Sequence, residues 1–390
     1  MRIKWRTLIT SIMTILLVHI SLVSISGMHY PNYARIQLLC MLVIAAFLVL
    51  RIQMFLKKNA GYNIVLFIVA AAMFYSAFSS RNLADVHTLT ILSNVAKIVI
   101  IFLFLEYIQN TNQFKNSLKV IYYCILAYCL MTDVLMLLSP MLFSGGDNYL
   151  VGNKFNVAYL HLYLLVLYCA CFENNKKYSV LKRTKLNIHF LFIVVISLYT
   201  GTSTGVIGGI LFLIFYIWNQ GFMKWVAKPV TALLAIGFFD SILLINPAIL
   251  NVPVIRYFIE VLLNKSLTLT GRLDIYSQVM AVVLMKPLWG FGKENNFLIS
   301  QLYLGADALK APNAQNGAID YIISYGIIGL ILMLVLLVMS IRNGAGKSNR
   351  AFSALLFVYI ILSMVEITFR QEFFVTMALI AFGWNKESED

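Results

Sequence analysis

The sequence predicts an all-α fold: a polytopic helical membrane protein with about 12 transmembrane helices and one large external loop. Three observations predict it. Of 390 residues, 61% are hydrophobic and 12% charged, against about 45–50% and about 25% in soluble domains. The apolar residues gather into runs of membrane-spanning length, and Lys and Arg collect in alternate connections. No water-soluble fold of this length has a core large enough to hide such a surplus. Soluble enzymes, nucleic-acid binders and disordered chains are therefore excluded together, and the net charge of +14 reads first as a topology signal.

A span needs about 20 mostly apolar residues. Such runs lie near 7–27, 33–56, 62–79, 88–108, 118–139, 155–172, 187–200, 204–220, 226–245, 317–340, 351–366 and 369–385. With a cytoplasmic amino terminus, the inward segments carry Arg2, Lys4 and Arg6, then Lys57 and Lys58, then Lys115 and Lys119. Lys176, Lys177, Lys182, Arg183 and Lys185 follow, then Lys224 and Lys228, then Arg342, Lys347 and Arg350, and finally Lys386. Those 18 positive charges contrast with four in the short outward loops, Arg35, Arg81, Lys154 and Arg370. This is the positive-inside pattern, and it predicts one bundle over 1–390 with both ends in the cytoplasm. Residues 8–26 follow a basic start and precede a weak cleavage site at Ser24-Ile25-Ser26. The run is longer than a usual signal-peptide core, and its removal would leave an odd number of spans, so it is expected to stay as the first span.

Residues 246–316 break the rule of short connections. Long loops without structure of their own are uncommon and tend to be functional. Within this one, Leu273 to Met285 has apolar residues at helical spacing, and Lys286-Pro287 stops the helix. The loop is expected to fold onto the outer mouth of the bundle.

Several motifs that suggest chemistry do not hold up. Gly344-Ala345-Gly346-Lys347-Ser348 lacks the first glycine of a phosphate-binding P-loop, Ile341 standing in its place, and a helix rather than a strand precedes it. The five histidines, His19, His29, His87, His161 and His189, show no metal-ligand spacing. The five cysteines lie in apolar runs with no CxxC pair and read as packing residues. No metal site and no nucleotide cofactor is indicated. Asn264-Lys265-Ser266 is a lone glycosylation sequon. Asp133 and Asp240 fall within or at the outer ends of spans, where an acid is costly unless it faces a polar cavity.

Three ordered segments carry a resemblance. Leu150-Val151-Gly152-Asn153-Lys154-Phe155-Asn156 precedes the sixth span. Gly271-Arg272-Leu273-Asp274 opens a helix that ends in Lys286-Pro287-Leu288-Trp289-Gly290-Phe291-Gly292. Asn313-Ala314-Gln315-Asn316 stands before Gly326-Ile327-Ile328-Gly329. Together with the small-residue turn Thr202-Ser203-Thr204-Gly205, they resemble the O-antigen polymerase and ligase superfamily of polytopic membrane glycosyltransferases. The O-antigen or capsular polysaccharide polymerases are the nearer branch, and the fold implied is C-type membrane glycosyltransferase-like. Where ligases above all carry His-Asn, this chain has Gln315-Asn316, and glutamine cannot exchange a proton.

The resemblance implies transfer of a glycan from undecaprenyl pyrophosphate to an acceptor sugar at the outer face of the bacterial inner membrane. It implies membrane lipids and a lipid-linked oligosaccharide as partners, with a chain-length regulator and a flippase as further candidates, and no nucleic acid. Arginine suits the departing pyrophosphate because its planar fork binds phosphate oxygens and stays charged. Arg272 leads for that role, followed by Arg256, Lys154 and Arg370, the last having a competing role as ion-pair partner of Glu366 and Glu372. Asp274, Glu294 and Asp320 are the candidate acids or bases, and Asn156, Gln315 and Asn316 the candidate holders of sugar hydroxyls. A ligase remains the rival within the enzyme class. A twelve-span flippase is the rival outside it, although no internal repeat of the kind a transporter shows is apparent.

Overall fold

The computed structural model describes residues 5–25, 30, 32–143, 148–172, 180–218, 224–257, 260–261, 272–306, 309–310, 313–345 and 350–383. The sequon, Gly271 and Gly346-Lys347-Ser348 lie outside them. Each of the twelve predicted runs is a helix. In chain order the helices are α1 Trp5–Ser21, α2 Tyr33–Val49, α3 Ala60–Ser79, α4 Thr88–Asn110, α5 Phe114–Leu138 and α6 Lys154–Phe172. Next come α7 Val180–Tyr199, α8 Ser203–Leu213 and α9 Pro229–Ile245, then the two longer helices of the long loop, α10 Arg272–Met285 and α11 Asn296–Tyr303, which follow a five-residue helix at Pro253–Tyr257. Gly317–Asn343 (α12), Arg350–Leu362 (α13) and Gln371–Ala381 (α14) complete the chain. Strand structure among the described residues amounts to one antiparallel ribbon, Gly305–Ala306 with Leu309–Lys310, and an isolated bridge between Tyr149 and Gly152.

The chain is a helical membrane protein. Among the described residues five helices, α3 (with the turn to Leu83), α4, α5, α6 and α12, are long and apolar enough to cross a bilayer. The other seven apolar helices have stretches of 10–17 residues, α7 being counted from Thr184 to Tyr199, so helix length by itself accounts for five crossings. In the short helix α14 every residue from Phe373 to Ala381 is buried, and the short α13, like the long α6, is buried on nearly every side. A helix apolar all round belongs in the middle of a bundle; α14 accordingly packs on α4, α12 and α13. The five cysteines are free thiols within α2, α5 and α6.

The long loop folds back on the bundle, as expected from its pattern. Its helix α10 packs on α9 and α12. Ile275, Val279, Val282 and Phe291 form a second small core with Leu243, Ile319 and Ile323. The helix begins and ends where the sequence places it, at Arg272 and Met285.

The segment after α10 does something the sequence does not announce. Helix α12 is broken at Gly326 (φ 70°, ψ −178°), a region of backbone space open essentially to glycine alone. Residues 287–292 fill the break. Pro287 and Leu288 carbonyls accept from the amides of Ile327 (2.8 Å) and Ile328 (3.2 Å), while the amides of Phe291 and Gly292 donate to Ile323 (2.8 Å) and Ser324 (2.7 Å). The Ser76 hydroxyl on α3 reaches the carbonyls of Trp289 and Ser324, and Trp289 packs on Tyr75 with ring centroids 4.6 Å apart. A helix opened away from water must find partners for its freed amides and carbonyls; here a loop backbone supplies them. There is no room for a side chain, since a Cβ on Gly326 would lie 2.0 Å from the Leu288 oxygen and one on Gly290 2.6 Å from the Ile323 oxygen.

Candidate functional site

Four elements converge at the loop end of the bundle. Arg272 opens α10, Lys154 and Asn156 lie in the first turn of α6, and Gln315 stands just before α12. Glu366 and Arg370 lie in the connection between α13 and α14. Arg272 donates from Nη2 to Glu366 Oε1 at 2.6 Å and from Nε to Gln315 Oε1 at 3.3 Å. Gln315 is held in turn, its amide Nε2 donating to Asn313 Oδ1 at 2.7 Å. The Tyr276 hydroxyl, one turn along α10, lies 2.8 Å from the carbonyls of both Gln315 and Met364 and ties the three segments together.

Arg370 turns the other way. Its Nη1 donates to Asn156 Oδ1 at 3.2 Å and its Nε to the Ile367 carbonyl at 2.7 Å, with its guanidinium 6.0 Å from the Tyr159 ring centre. Glu366 therefore pairs with Arg272, 94 residues away in sequence, rather than with its near neighbour Arg370. Burial pushes the Glu366 carboxyl above its usual range, while Arg272, Arg370 and Lys154 pull it down. Three cations thus lie within electrostatic reach of one carboxylate that is 4% exposed. Beside them is a cleft lined by Ser24, Asn156, Tyr159, Tyr163 and Glu372.

The remaining predicted residues are placed elsewhere. Asp274 is exposed on α10. Arg256 is exposed and pairs with Glu260 one turn on, at 2.9 Å. Asn316 is fully buried with both ends of its amide in use, Oδ1 accepting from the Ile319 amide at 3.0 Å as the cap of α12 and Nδ2 donating to the Asp240 carbonyl at 2.9 Å. Asp240 accepts from Ser363 Oγ (3.0 Å) and the Ala318 amide (3.4 Å), which sets its charge at the positive end of α12. Asp320 is buried and accepts from the Ala314 amide at 3.3 Å. Glu294 accepts from Asn94 at 2.8 Å on the far side of the inserted segment. Asp133 lies 3.2 Å from His161 Nε2 between α5 and α6. Among the described residues no group of three His, Cys, Asp or Glu side chains is placed to hold a metal.

Tyr276 and Tyr159 are the members that sequence reasoning passed over, and Glu366 it read only as a partner of Arg370. An acid between two short apolar helices is a legible oddity, but its partner lies in another segment and is not.

Residues 188–334 match the family model described as O-antigen ligase. The match supports the O-antigen ligase and polymerase superfamily. It runs from within α7 to Leu334 in α12, so it takes in Arg272, Gln315, the inserted segment and Gly326, and leaves out Lys154, Glu366 and Arg370. It supports a membrane glycosyltransferase-like enzyme of polysaccharide assembly acting on lipid-linked polysaccharide, without separating polymerase from ligase. No curated protein matches the chain.

Proposed function

We propose that this chain polymerises undecaprenyl-pyrophosphate-linked oligosaccharide repeat units into O-antigen or capsular polysaccharide at the outer face of the bacterial cytoplasmic membrane. The observation that carries the reading is the meeting of four segments at the loop end of the bundle, where Arg272 pairs with Glu366 at 2.6 Å and Arg370 donates at 3.2 Å to Asn156, two residues from Lys154. The alternation of basic connections supports a reading in which that end faces outward and both termini face the cytoplasm.

The donor already holds its energy in the sugar–pyrophosphate bond. When the acceptor hydroxyl oxygen bonds to the anomeric carbon, the bond from that carbon to the pyrophosphate breaks, and its electron pair leaves with the phosphate. Fixed cations stabilise that charge where it develops, and they act more strongly in a partly desolvated site than in water. Arg272 and Arg370 serve this role with Lys154. The hydroxyl proton passes to a carboxylate, for which Glu366 and Glu372 are the nearest to the cleft, ahead of Asp274, Glu294 and Asp320. Asn156 and Gln315 hold sugar hydroxyls, whereas Asn316 serves the fold as a helix cap.

The ligase reading has the printed family description in its favour. Gln315 speaks against it, because a neutral amide cannot take the proton that a histidine in that place would. The deciding experiment is conversion of purified lipid-linked repeat unit into polymer by the purified protein alone. A ladder of chain lengths is expected; an unchanged single repeat unit, with transfer to lipid A core under the same conditions, would establish the ligase instead.

A further inference from the structure

The face that α12 turns to its surroundings stops part-way along the helix. Ile327, Ile331 and Val335 are exposed about one turn apart, as a helix does that meets lipid on one side and protein on the others. From Gly317 to Gly326 no residue is exposed, and all but Ile322 are buried. Part of this covered stretch still lies at membrane depth. Ser340 stands near the far end of the span, where its hydroxyl meets that of Tyr62 in the first turn of α3 at 2.7 Å. A crossing takes about 20 residues, so the span counted back from Ser340 reaches about as far as Tyr321, beyond the break at Gly326.

Helix α10 and the tip that follows it cover this stretch and carry the exposed stripe onward. The amides of Ile327 and Ile328 donate to the Pro287 and Leu288 carbonyls. The tip is therefore level with the first exposed residue of α12, and with Tyr75 and Ser76 near the end of α3. Met280, Leu284 and Leu288 recur at the same four-residue interval and are exposed, Leu284 by 69% and Leu288 by 57%. In the first turns of α10 the exposed residues are instead Asp274 and Ser277. One helix thus passes from a polar to an apolar outer face along its length.

The charged and polar groups around the tip fit the same placement. Lys286 turns back from it, its Nζ donating to Ser80 Oγ at 2.7 Å at the end of α3, as long cationic side chains do near a membrane boundary. By Asn295 the chain has returned to that level, its Nδ2 donating to the Ser80 carbonyl at 2.9 Å. Irregular backbone at membrane depth is tolerated only where protein meets its polar groups, and the bonds across the Gly326 break meet them.

We propose that residues 272–295 form a re-entrant hairpin: the second half of α10 and its tip enter the leaflet at the loop end of the bundle, with Leu284 and Leu288 against lipid acyl chains. An exposed apolar face marks an interaction surface. Its continuity with the stripe at Ile327, Ile331 and Val335 names the bilayer as what covers it. The inference rests only on α12 crossing a bilayer and is independent of the polymerase reading.

The test is spin labelling of Asp274→Cys, Ser277→Cys, Leu284→Cys and Leu288→Cys in the full-length protein, reconstituted in vesicles of phosphatidylethanolamine and phosphatidylglycerol. Wild-type protein labelled in parallel is the blank for the native cysteines. Relaxation by oxygen, which concentrates in lipid, is compared with relaxation by a water-soluble nickel chelate. Labels at 284 and 288 are expected to favour oxygen severalfold, and labels at 274 and 277 the chelate. Access of the chelate to 284 and 288 would overturn the proposal, because the face would then lie in water. Exclusion of both reagents there would overturn it too, since a second copy or another protein would then cover the face. Preference for oxygen at all four positions would mean that α10 never leaves the membrane, which also overturns the hairpin.

Discussion

At the loop end of the bundle, the inserted segment 287–292 and the cation cluster around Glu366 solve the same problem by opposite means. Each keeps polar groups at a depth where water is scarce. The inserted segment does so with backbone: four main-chain hydrogen bonds across the break at Gly326, with glycines where any side chain would collide. The cluster does so with charge, pairing Arg272 with Glu366 and leaving further cations around them. A backbone arrangement tolerates almost no substitution and offers a substrate little. A side-chain arrangement carries an excess of charge that a ligand can take up. The comparison teaches that the Pro-Leu-Trp-Gly-Phe-Gly run supports the fold, its backbone filling the break in α12, while the residues proposed for the chemistry are dispersed around it.

The largest expected effect tests the backbone side. Gly326→Ala forces a Cβ to 2.0 Å from the Leu288 oxygen, in a backbone region that itself costs other residues about 1–3 kcal/mol. Loss of monodisperse protein in detergent gel filtration is expected; wild-type elution with an unchanged Tm would break the comparison. Next comes the charge side. Arg272→Ala is expected to lower polymerisation by roughly 10²–10³-fold, as for removal of one preorganised donor. It should also lower stability by about 3 kcal/mol, because a buried carboxylate loses its partner. Adding Glu366→Gln should restore the stability and not the activity. If activity returned as well, the cations would have no role of their own.

A smaller effect concerns pH. Burial holds the Glu366 carboxyl above its usual value of 4.5, so ionisation costs the folded state more than the unfolded one. Its contribution to stability is therefore greatest below about pH 4.5 and declines as pH rises from there through the raised folded value. Glu366→Gln removes that decline, and its Tm is expected to vary less than the wild type's over this window. A steeper pH dependence in the variant would reverse the assignment. The smallest effect is at Arg256, where the pair with Glu260 is exposed to solvent and such pairs contribute little. Arg256→Ala should leave both Tm and polymer yield unchanged; a drop in yield would enlarge the site beyond the Glu366 cluster.

Much of the fold was legible because membrane insertion is read from local pattern. An apolar run is apolar whatever it later touches, and each of the twelve runs is a helix. The helix at 272–285 was equally visible, since helical spacing and the stop at Pro287 are local. The site was legible only in part. Arg272, Lys154, Asn156, Gln315 and Arg370 could be nominated by residue type, and they do come together. Asn316, nominated beside Gln315, is a buried helix cap.

Sequence alone determined the solvent this chain requires, the existence of its apolar helices and the alternation of basic with nearly bare connections. These follow from composition and from spacing along a single helix. The pairing of Arg272 with Glu366 across 94 residues and the loop that fills the break at Gly326 were decided by tertiary structure. Such contacts depend on which helices pack together, and no local pattern of residues carries that information.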